Sequence, residues 1–189
     1  MLIGIDDRGV LEGGRGGDLL MGREAEDVLS GGCGRDPLSG GDGDDALAGG
    51  HGSDALAGGR GDDLLFGRWG RAALDGGDGA DLLSGGVGAD ALVGGAGDDR
   101  LDGGQGRDTR RGGGGADSFH ADGRRDNVII DFDPSEGDGI EVAALDLSAA
   151  EAAEPSTRSG EDLVLAIARG TLTLIDAAHL SIATDRVVA

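Results

Sequence analysis

A glycine recurs at every ninth position from Gly4 to Gly112, and this period constrains the fold more than any other feature of the chain. Thirteen consecutive nine-residue blocks cover residues 4–120 without an insertion or a deletion. Block position 6 is Asp in eleven blocks, and block position 8 is Leu in eleven, with Arg110 and Phe119 in the other two. A disordered chain shows compositional bias without such a phase, so the period predicts a stack of repeated structural units.

The composition excludes several classes of protein. The 189 residues include 42 Gly, one Trp and three Phe but neither Tyr nor Lys, so an ordinary aromatic core cannot form. A formal net charge of −21 disfavours nucleic acid and anionic membrane surfaces as partners and favours cations. The sequence has no apolar run long enough for a membrane span, and its N-terminus does not resemble a signal peptide. We therefore expect no nucleic-acid partner and no membrane span.

Each recurring position of the block has a physical role. Gly at positions 1, 2 and 4 permits a positive φ and turns carbonyl oxygens toward a common point, beside which the Asp at position 6 adds a carboxylate. Oxygen ligands alone suit a hard cation, and a flexible cage of several oxygens suits Ca²⁺ better than the octahedral Mg²⁺. Positions 7 to 9 predict a three-residue strand whose middle side chain points inward. One inward apolar residue in nine is too few for a lone hairpin, so the units must stack.

The tandem pattern GGxGxDxLx resembles the nonapeptide repeat of the repeats-in-toxin (RTX) family, a signature of Ca²⁺-binding parallel β-helices. The resemblance implies an all-β fold, a parallel β-roll (right-handed β-solenoid) with two nonapeptides per coil. Ca²⁺ would lie between turns that are two blocks apart. We assign residues 4–120 to the calcium-binding β-roll and residues 121–189, where the period stops, to a C-terminal β-rich cap that covers the last coil.

The resemblance also implies a set of metal ligands, with Asp side chains from both turns and backbone carbonyls of the glycines. Alternate blocks fall on opposite edges, which gives five neighbouring Asp pairs on one edge and three on the other, or about seven to eight Ca²⁺ ions. The implied Asp ligands are Asp18, Asp27, Asp36, Asp45, Asp54, Asp63, Asp81, Asp90, Asp99, Asp108 and Asp117. The implied glycine ligands are Gly14, Gly16, Gly32, Gly34, Gly41, Gly43, Gly59, Gly61, Gly77, Gly79, Gly86, Gly88, Gly95 and Gly97.

The block GRWGRAALD departs from the pattern. Arg68 replaces Gly at position 2 and Ala72 replaces Asp at position 6, so the two ion positions beside this turn should be lost. Leu74 keeps the inward position, which predicts that the coil continues. We expect Arg68 and Arg71 to neutralise part of the adjacent carboxylate charge, and Trp69 to be exposed at the rim.

The residues after 120 predict mainly strands. DNVIIDF, DGIEV, DLVLAIA and TLTLI are β-branched or alternating, whereas SAAEAAEP predicts a short surface helix. The stretch DFDPSEGDG predicts a loop between two strands rather than an EF-hand, because Glu136 stands where an EF-hand needs Gly and Val142 where it needs Glu. Arg110, which takes an inward position beside the cap, is expected to reach solvent.

Two further resemblances concern the C-terminal region. The segment GADSFHADGRRDNVIIDFDPSEGDGIEV resembles the end of the roll in serralysin proteases and in the R-modules of alginate epimerases. In such proteins the tail is an uncleaved signal for type I secretion, and the ending TDRVVA is similar to it. The resemblance implies that the type I secretion machinery is a partner and that the protein is secreted and extracellular.

The sequence has no catalytic constellation. His51, His120 and His179 are scattered rather than arranged as H-E-x-x-H, and neither a G-x-S-x-G elbow nor a P-loop is present. We therefore expect a non-catalytic β-roll that folds on binding Ca²⁺ outside the cell and supports the secretion and stability of an exported bacterial protein. Two alternatives stay open: the C-terminal part of a secreted metalloprotease, lipase or alginate epimerase with a separate catalytic domain, and a polysaccharide-binding surface module.

Overall fold

The computed structural model describes residues 1–4, 7–121, 127–142, 157–159, 162–167 and 170–175. Within these ranges the regular structure is a system of eighteen β-strands. The strands are β1 (Leu2–Ile3), β2 (Val10–Arg15), β3 (Leu20–Glu24), β4 (Val28–Gly34), β5 (Pro37–Asp42), β6 (Ala46–Arg60), β7 (Leu64–Asp78), β8 (Leu82–Gly88), β9 (Ala91–Ala96), β10 (Arg100–Asp102), β11 (Gln105–Gly106), β12 (Thr109–Gly114), β13 (Ser118–Ala121), β14 (Asn127–Ile129), β15 (Gly139–Val142), β16 (Thr157–Ser159), β17 (Asp162–Ile167) and β18 (Gly170–Leu174).

Successive coils pair in parallel with a shift of eighteen residues. Leu47 of β6 pairs with Leu65 of β7, and Leu56 pairs with Leu74 further along the same two strands. The same shift relates β2 to β4 and β3 to β5. Since each partner lies two blocks further along the chain, two nonapeptides make one coil. The predicted all-β fold, a parallel β-roll, is confirmed and has about seven turns.

The core consists of two files of inward side chains from block position 8, one from each set of alternate blocks. Leu20, Leu29, Leu65 and Leu83 are completely buried, and Phe119 fills the same position in the last block. Burying a Leu side chain contributes about 1.5 to 3 kcal/mol. The prediction that this position points inward is confirmed, and Leu74 keeps its file continuous through the irregular block.

Most strands of the roll are longer than the predicted three residues, although β10 has three. β4 and β8 each have seven residues, and β6 and β7 have fifteen, which is more than one block. The sequence-based length is wrong because turn residues also stack in register and bond to the next coil. Asp42 pairs with Arg60, for example, and Gly43 donates its N–H to the carbonyl oxygen of Arg60 at 2.7 Å.

Arg110 is buried, with an exposed fraction of 1%. The expectation that its side chain reaches solvent is therefore wrong. The side chain takes a core position that register places between Leu92 and Ile129. Its Nη1 donates a hydrogen bond to the carbonyl oxygen of His120. A long side chain with several donors can satisfy its polar end on backbone carbonyls while its methylene stem packs against apolar neighbours.

The cap begins by extending the coils. β14 pairs in parallel with β12, and β15 with β13, so that Phe119 lies opposite Ile140. β18 then adds in parallel to β14, and β17 and β16 follow in antiparallel order. Phe132 packs its ring edge-on against Phe119, with 6.2 Å between ring centroids.

The four predicted cap strands are confirmed, and so is the loop that joins β14 to β15 where an EF-hand was disfavoured. β16 was not predicted. The predicted helix SAAEAAEP and the ending TDRVVA lie outside the described residues. The boundary at residue 120 stays a prediction.

Candidate metal sites

The Asp residues of block position 6 form two rows along the roll. Their alternation follows from the eighteen-residue coil, which puts every second block on the same edge. The first row contains Asp27, Asp45, Asp63, Asp81, Asp99 and Asp117. The second row contains Asp18, Asp36, Asp54, Asp90 and Asp108, with Ala72 in the place between Asp54 and Asp90. All these Asp residues except Asp18 are buried.

Each row is a ladder of hydrogen bonds from one coil to the next. Asp45 donates its backbone N–H to Oδ1 of Asp63 at 2.8 Å, and Asp63 donates in the same way to Asp81 at 2.8 Å. The backbone carbonyl of Asp45 accepts the N–H of Leu64, also at 2.8 Å. The N–H, the carbonyl and Oδ1 of an interior Asp are therefore all engaged, and its Oδ2 is the remaining polar atom.

Most Oδ2 atoms of the rows are buried and lack a hydrogen-bond partner within the described residues. This holds for eight members of the rows: Asp27, Asp36, Asp45, Asp63, Asp81, Asp90, Asp99 and Asp117. Burying an unpaired carboxylate oxygen is costly unless it is paired or bound to a metal. The regular series of these unpaired oxygens is the main chemical feature of the roll. A cation bound between coils would compensate for their missing hydrogen bonds.

A glycine at block position 1 makes room for each of these oxygens. A Cβ on Gly40 would overlap Oδ2 of Asp45 and would lie 2.8 Å from the carbonyl oxygen of Gly58, one coil later. The same arrangement recurs at Gly58 with Asp63 and the carbonyl oxygen of Gly76. The oxygens of two successive coils therefore border one small space beside the glycine.

The donor set of these spaces fits a hard cation. Within the described ranges, His, Cys, Asp and Glu side chains do not form groups of three or more that could hold a metal ion. A site between two turns must therefore complete its shell with backbone carbonyls, which is the kind of mixed oxygen shell that Ca²⁺ accepts. Soft or nitrogen-seeking metals have no ligand set here.

Burial raises the pKa of seven row carboxyls above their usual value of 3.8. The pKa rises to about 7 for Asp63 and Asp99 and to about 6 for Asp45 and Asp117. Burial is the largest cause and neighbouring carboxylates add to it, whereas the N–H bond from the preceding coil lowers the pKa. Burial also raises the pKa of three further members, Asp54, Asp81 and Asp90.

The glycines implied as carbonyl ligands occupy block positions 2 and 4. All of them except Gly88 have φ between +95° and +152°. From Gly32 onward the structure brings their Cα atoms against the preceding coil, so that a Cβ on Gly59 would overlap the carbonyl oxygen of Gly41, whereas Gly14 and Gly16 in the first such coil have no atom within 4 Å of the Cβ position. Their role as ligands stays a prediction. The glycine carbonyls that border Oδ2 belong to position 1, which the sequence-based set did not include.

The irregular block interrupts the second row alone. Ala72 still donates its N–H to Oδ1 of Asp90 at 2.7 Å, but it has no carboxylate to accept the N–H of Asp54. Arg71 lowers the pKa of Asp90, although burial of that carboxyl raises it more. Arg68 takes a positive φ of 75°, as the glycines at position 2 do. The first row passes the same block without a break.

Trp69 is half exposed and stacks on His51 of the preceding coil. The two ring centroids are 4.6 Å apart and the ring planes differ by 12°. Register explains the contact, because both residues occupy block position 3 and pair directly in β6 and β7. The expectation of an exposed Trp69 is confirmed at an exposed fraction of 51%.

The sequence-based site did not include two residues that prolong the rows into the cap. Asp108 donates its N–H to Oδ1 of Asn127 at 3.0 Å, and Asp117 donates to Oδ1 of Asp138, also at 3.0 Å. Their signal is the triplet of the repeat, Asp-x-Leu, which returns as Asn-x-Ile at residues 127–129 and Asp-x-Ile at residues 138–140. The spacing widens from 18 to 19 and 21 residues, so a fixed period of nine does not find them.

A parallel β-roll whose stacked turns carry rows of buried carboxylates defines a class of metal-binding repeat protein. The family model for the RTX calcium-binding nonapeptide repeat (4 copies) matches residues 3–36, 30–65 and 75–109, which together exceed half of the chain. The chain belongs to this RTX calcium-binding repeat family. Residues 66–74, between the matched segments, contain the substitutions at Arg68 and Ala72.

Comparison with other proteins adds little to this assignment. A search of curated proteins gave no match. The chain is similar to the crystal structure of extracellular lipase LipA from Serratia marcescens, with 22% sequence identity and a TM-score of 0.30. That similarity covers 98% of this chain, which spans 39% of the lipase chain. In the described parts of the chain, helices with the length and apolar character to cross a membrane are absent.

Acidification is expected to stabilise the metal-free roll. The folded pKa of about 7 for Asp63 lies above the usual 3.8, so its protonated form favours folding. This contribution is fully present below about pH 4 and is lost as the pH rises through about 7. Ca²⁺ needs the ionised carboxylate, so Ca²⁺ affinity should change in the opposite direction and fall at low pH.

Circular dichroism in calcium-free buffer at pH 5 and pH 8 measures the first effect, and Ca²⁺ titrations at both pH values measure the second. We expect more β signal without Ca²⁺ at pH 5, together with a higher Ca²⁺ midpoint. Equal signals and equal midpoints at the two pH values would contradict this expectation.

Proposed function

We propose that this chain is a non-catalytic, calcium-binding β-roll that folds on binding Ca²⁺ outside the cell and supports the secretion and stability of an exported bacterial protein. The observation that carries the proposal is the regular series of buried Oδ2 atoms that lack a partner within the described residues. Membership of the RTX calcium-binding repeat family supports Ca²⁺ as the ion.

The ions are proposed to lie between turns that contribute Asp on both sides. Five such neighbouring pairs occur in the first row and three in the second, where Ala72 removes two. About eight ions would supply about sixteen positive charges to a chain of formal charge −21. The Asp side chains orient Oδ2 toward the neighbouring coil, while their Oδ1 atoms hold the coils in register.

Folding is proposed to depend on Ca²⁺ because two terms oppose the metal-free roll. Stacked carboxylates repel one another. The core also contains one inward side chain per nine residues, so the free energy gained from apolar burial is small compared with the conformational entropy lost by the ordered backbone. A chain that stays unfolded where Ca²⁺ is scarce can pass through a secretion channel and fold where Ca²⁺ is abundant. We propose the type I machinery for this export, because the C-terminal sequence is similar to its uncleaved signals.

Far-ultraviolet circular dichroism tests the central claim. We expect a largely unfolded spectrum in chelator and a β-rich spectrum in millimolar Ca²⁺, with Mg²⁺ at the same concentration as the control for ionic strength. The effect follows from linkage, because binding energy at sites that exist only in the folded state becomes folding energy. A spectrum that is the same in chelator and in Ca²⁺ would show that the roll does not need the ion to fold.

A further inference from the structure

The first row of carboxylates continues into the cap. Asp117 donates its N–H to Oδ1 of Asp138 at 3.0 Å, as each earlier member does to the next. The N–H of Gly139 is bonded to the carbonyl oxygen of Asp117 at 2.8 Å, which reproduces the second bond of an interior step. Phe119 pairs with Ile140 in the same register. Asp138 therefore takes the place of a seventh row Asp, although it lies 21 residues further on rather than 18.

Asp117 shows the same unsatisfied oxygen as the interior members of the row. Its exposed fraction is 2%, and its Oδ2 is buried without a hydrogen-bond partner among the described residues. A Cβ on Gly112 would overlap this oxygen, so the glycine cradle is present as well. In the interior of the row the carbonyl oxygen of the next coil also borders this space, as Gly112 does at Gly94, and at the end of the row Asp138 of the cap is bonded to the N–H of Asp117.

Two carboxylates of the cap are bonded to the last repeat block, Asp138 to the N–H of Asp117 and Asp131 to the N–H of Gly112. Asp138 lies within hydrogen-bond distance of Asp117, since its Oδ1 is 3.0 Å from the backbone nitrogen of Asp117. The Asp131 oxygens already accept three hydrogen bonds, from the N–H groups of Gly112 and Gly113 and from the Nε–H of Arg111, so we do not assign Asp131 as a ligand. Asp138 accepts one N–H on each oxygen, from Asp117 and from Asp133, which leaves further lone pairs on both.

We propose that Asp117 and Asp138 hold a further Ca²⁺ ion between the last repeat coil and the cap. This inference rests on the proposed Ca²⁺ binding of the repeats and adds a site outside them. The ion would join the cap to the roll, because one ligand belongs to block 13 and the other to the loop before β15. The second row has a different end, where Asn127 accepts the N–H of Asp108 but brings an amide without charge.

Counting bound ions by native mass spectrometry at saturating Ca²⁺ tests the site, since two substitutions at the row ends give different losses. Asp108→Asn should remove one ion, because its row ends in an uncharged amide. Asp117→Asn should remove two, because this Asp would serve an ion on each side. Asp138→Asn keeps an Oδ1 acceptor for Asp117 and should remove one ion. Glu136→Gln makes the same charge change at an exposed position of the same loop and should remove none.

A gain of binding provides an independent measurement. Asn127→Asp places a carboxylate beside Asp108 at the cap end of the second row, as Asp138 stands beside Asp117 in the first row. This variant should therefore bind one additional ion. Equal losses in the Asp108→Asn and Asp117→Asn variants, or an unchanged count in Asp138→Asn, would overturn the cap site while leaving the repeat sites intact. A wild-type chain that binds no Ca²⁺ would instead overturn the proposed function itself.

Discussion

Replacing Ala72 by Asp is expected to add two Ca²⁺ ions and to stabilise the roll substantially. Ala72 is the gap in the second row, and its N–H already bonds to Asp90 as a row Asp would. A carboxylate at this position would give Asp54 its missing acceptor and complete two neighbouring pairs. Each added site contributes about 2.7 kcal/mol when free Ca²⁺ is about a hundredfold above its dissociation constant, so the two together should contribute about 5 kcal/mol.

Thermal unfolding at several Ca²⁺ concentrations, combined with ion counting, measures this gain. Ala73→Asp is the matched control, because it adds the same charge one residue later on the exposed face. The control should leave the ion count unchanged and should not raise the melting temperature. If Ala72→Asp bound no additional ions, a row Asp would not be sufficient to form a site.

Replacing Gly52 by Ala should be strongly destabilising. Gly52 has a φ of +141°, and a Cβ there would overlap the carbonyl oxygen of Gly34 in the preceding coil. Backbone cannot move aside as the end of a flexible side chain can, so the two coils must separate. Strain of roughly 1 to 2 kcal/mol from the backbone conformation adds to an overpacking cost of about 1 to 3 kcal/mol.

Gly16→Ala separates the two contributions. Gly16 also occupies block position 4 and has a φ of +112°, but no atom lies within 4 Å of its Cβ position. This variant should show the conformational strain alone, and Gly52→Ala should be the less stable of the two by the cost of overlap. Urea denaturation in saturating Ca²⁺ gives both free energies of unfolding. Equal values would mean that close coil stacking is not what requires glycine at this position.

The period of nine was sufficient to predict the architecture of the roll. The Leu at position 8 of the nine-residue block predicts the core. The eighteen-residue coil places Asp45, Asp63 and Asp81 in one row, as the structure has them. These features depend on spacing, which a sequence displays directly. The pairing of rows on two edges was predictable for the same reason.

Other features depend on contacts that spacing does not reveal. The burial of Arg110 depends on the carbonyl of His120, which lies ten residues away at the end of the roll. Asp138 was missed because it lies 21 residues after Asp117 rather than 18, although it restores the register. The sequence also did not distinguish glycines that provide a cradle for Oδ2, such as Gly40, from those that allow coils to approach, such as Gly52.

The buried ladders have a polarity. The backbone N–H of a row Asp donates to a side chain in the coil on its C-terminal side. The N–H of Asp99 thus bonds to Asp117, and the N–H of Asp117 bonds to Asp138. In a solenoid whose stability is a sum of nearest-neighbour terms, each coil therefore depends on its C-terminal neighbour for this acceptor, and the last repeat coil depends on the cap. Gly9 donates its N–H to Oδ1 of Asp27 in the same way, so the ladder accepts a donor that brings no carboxylate of its own.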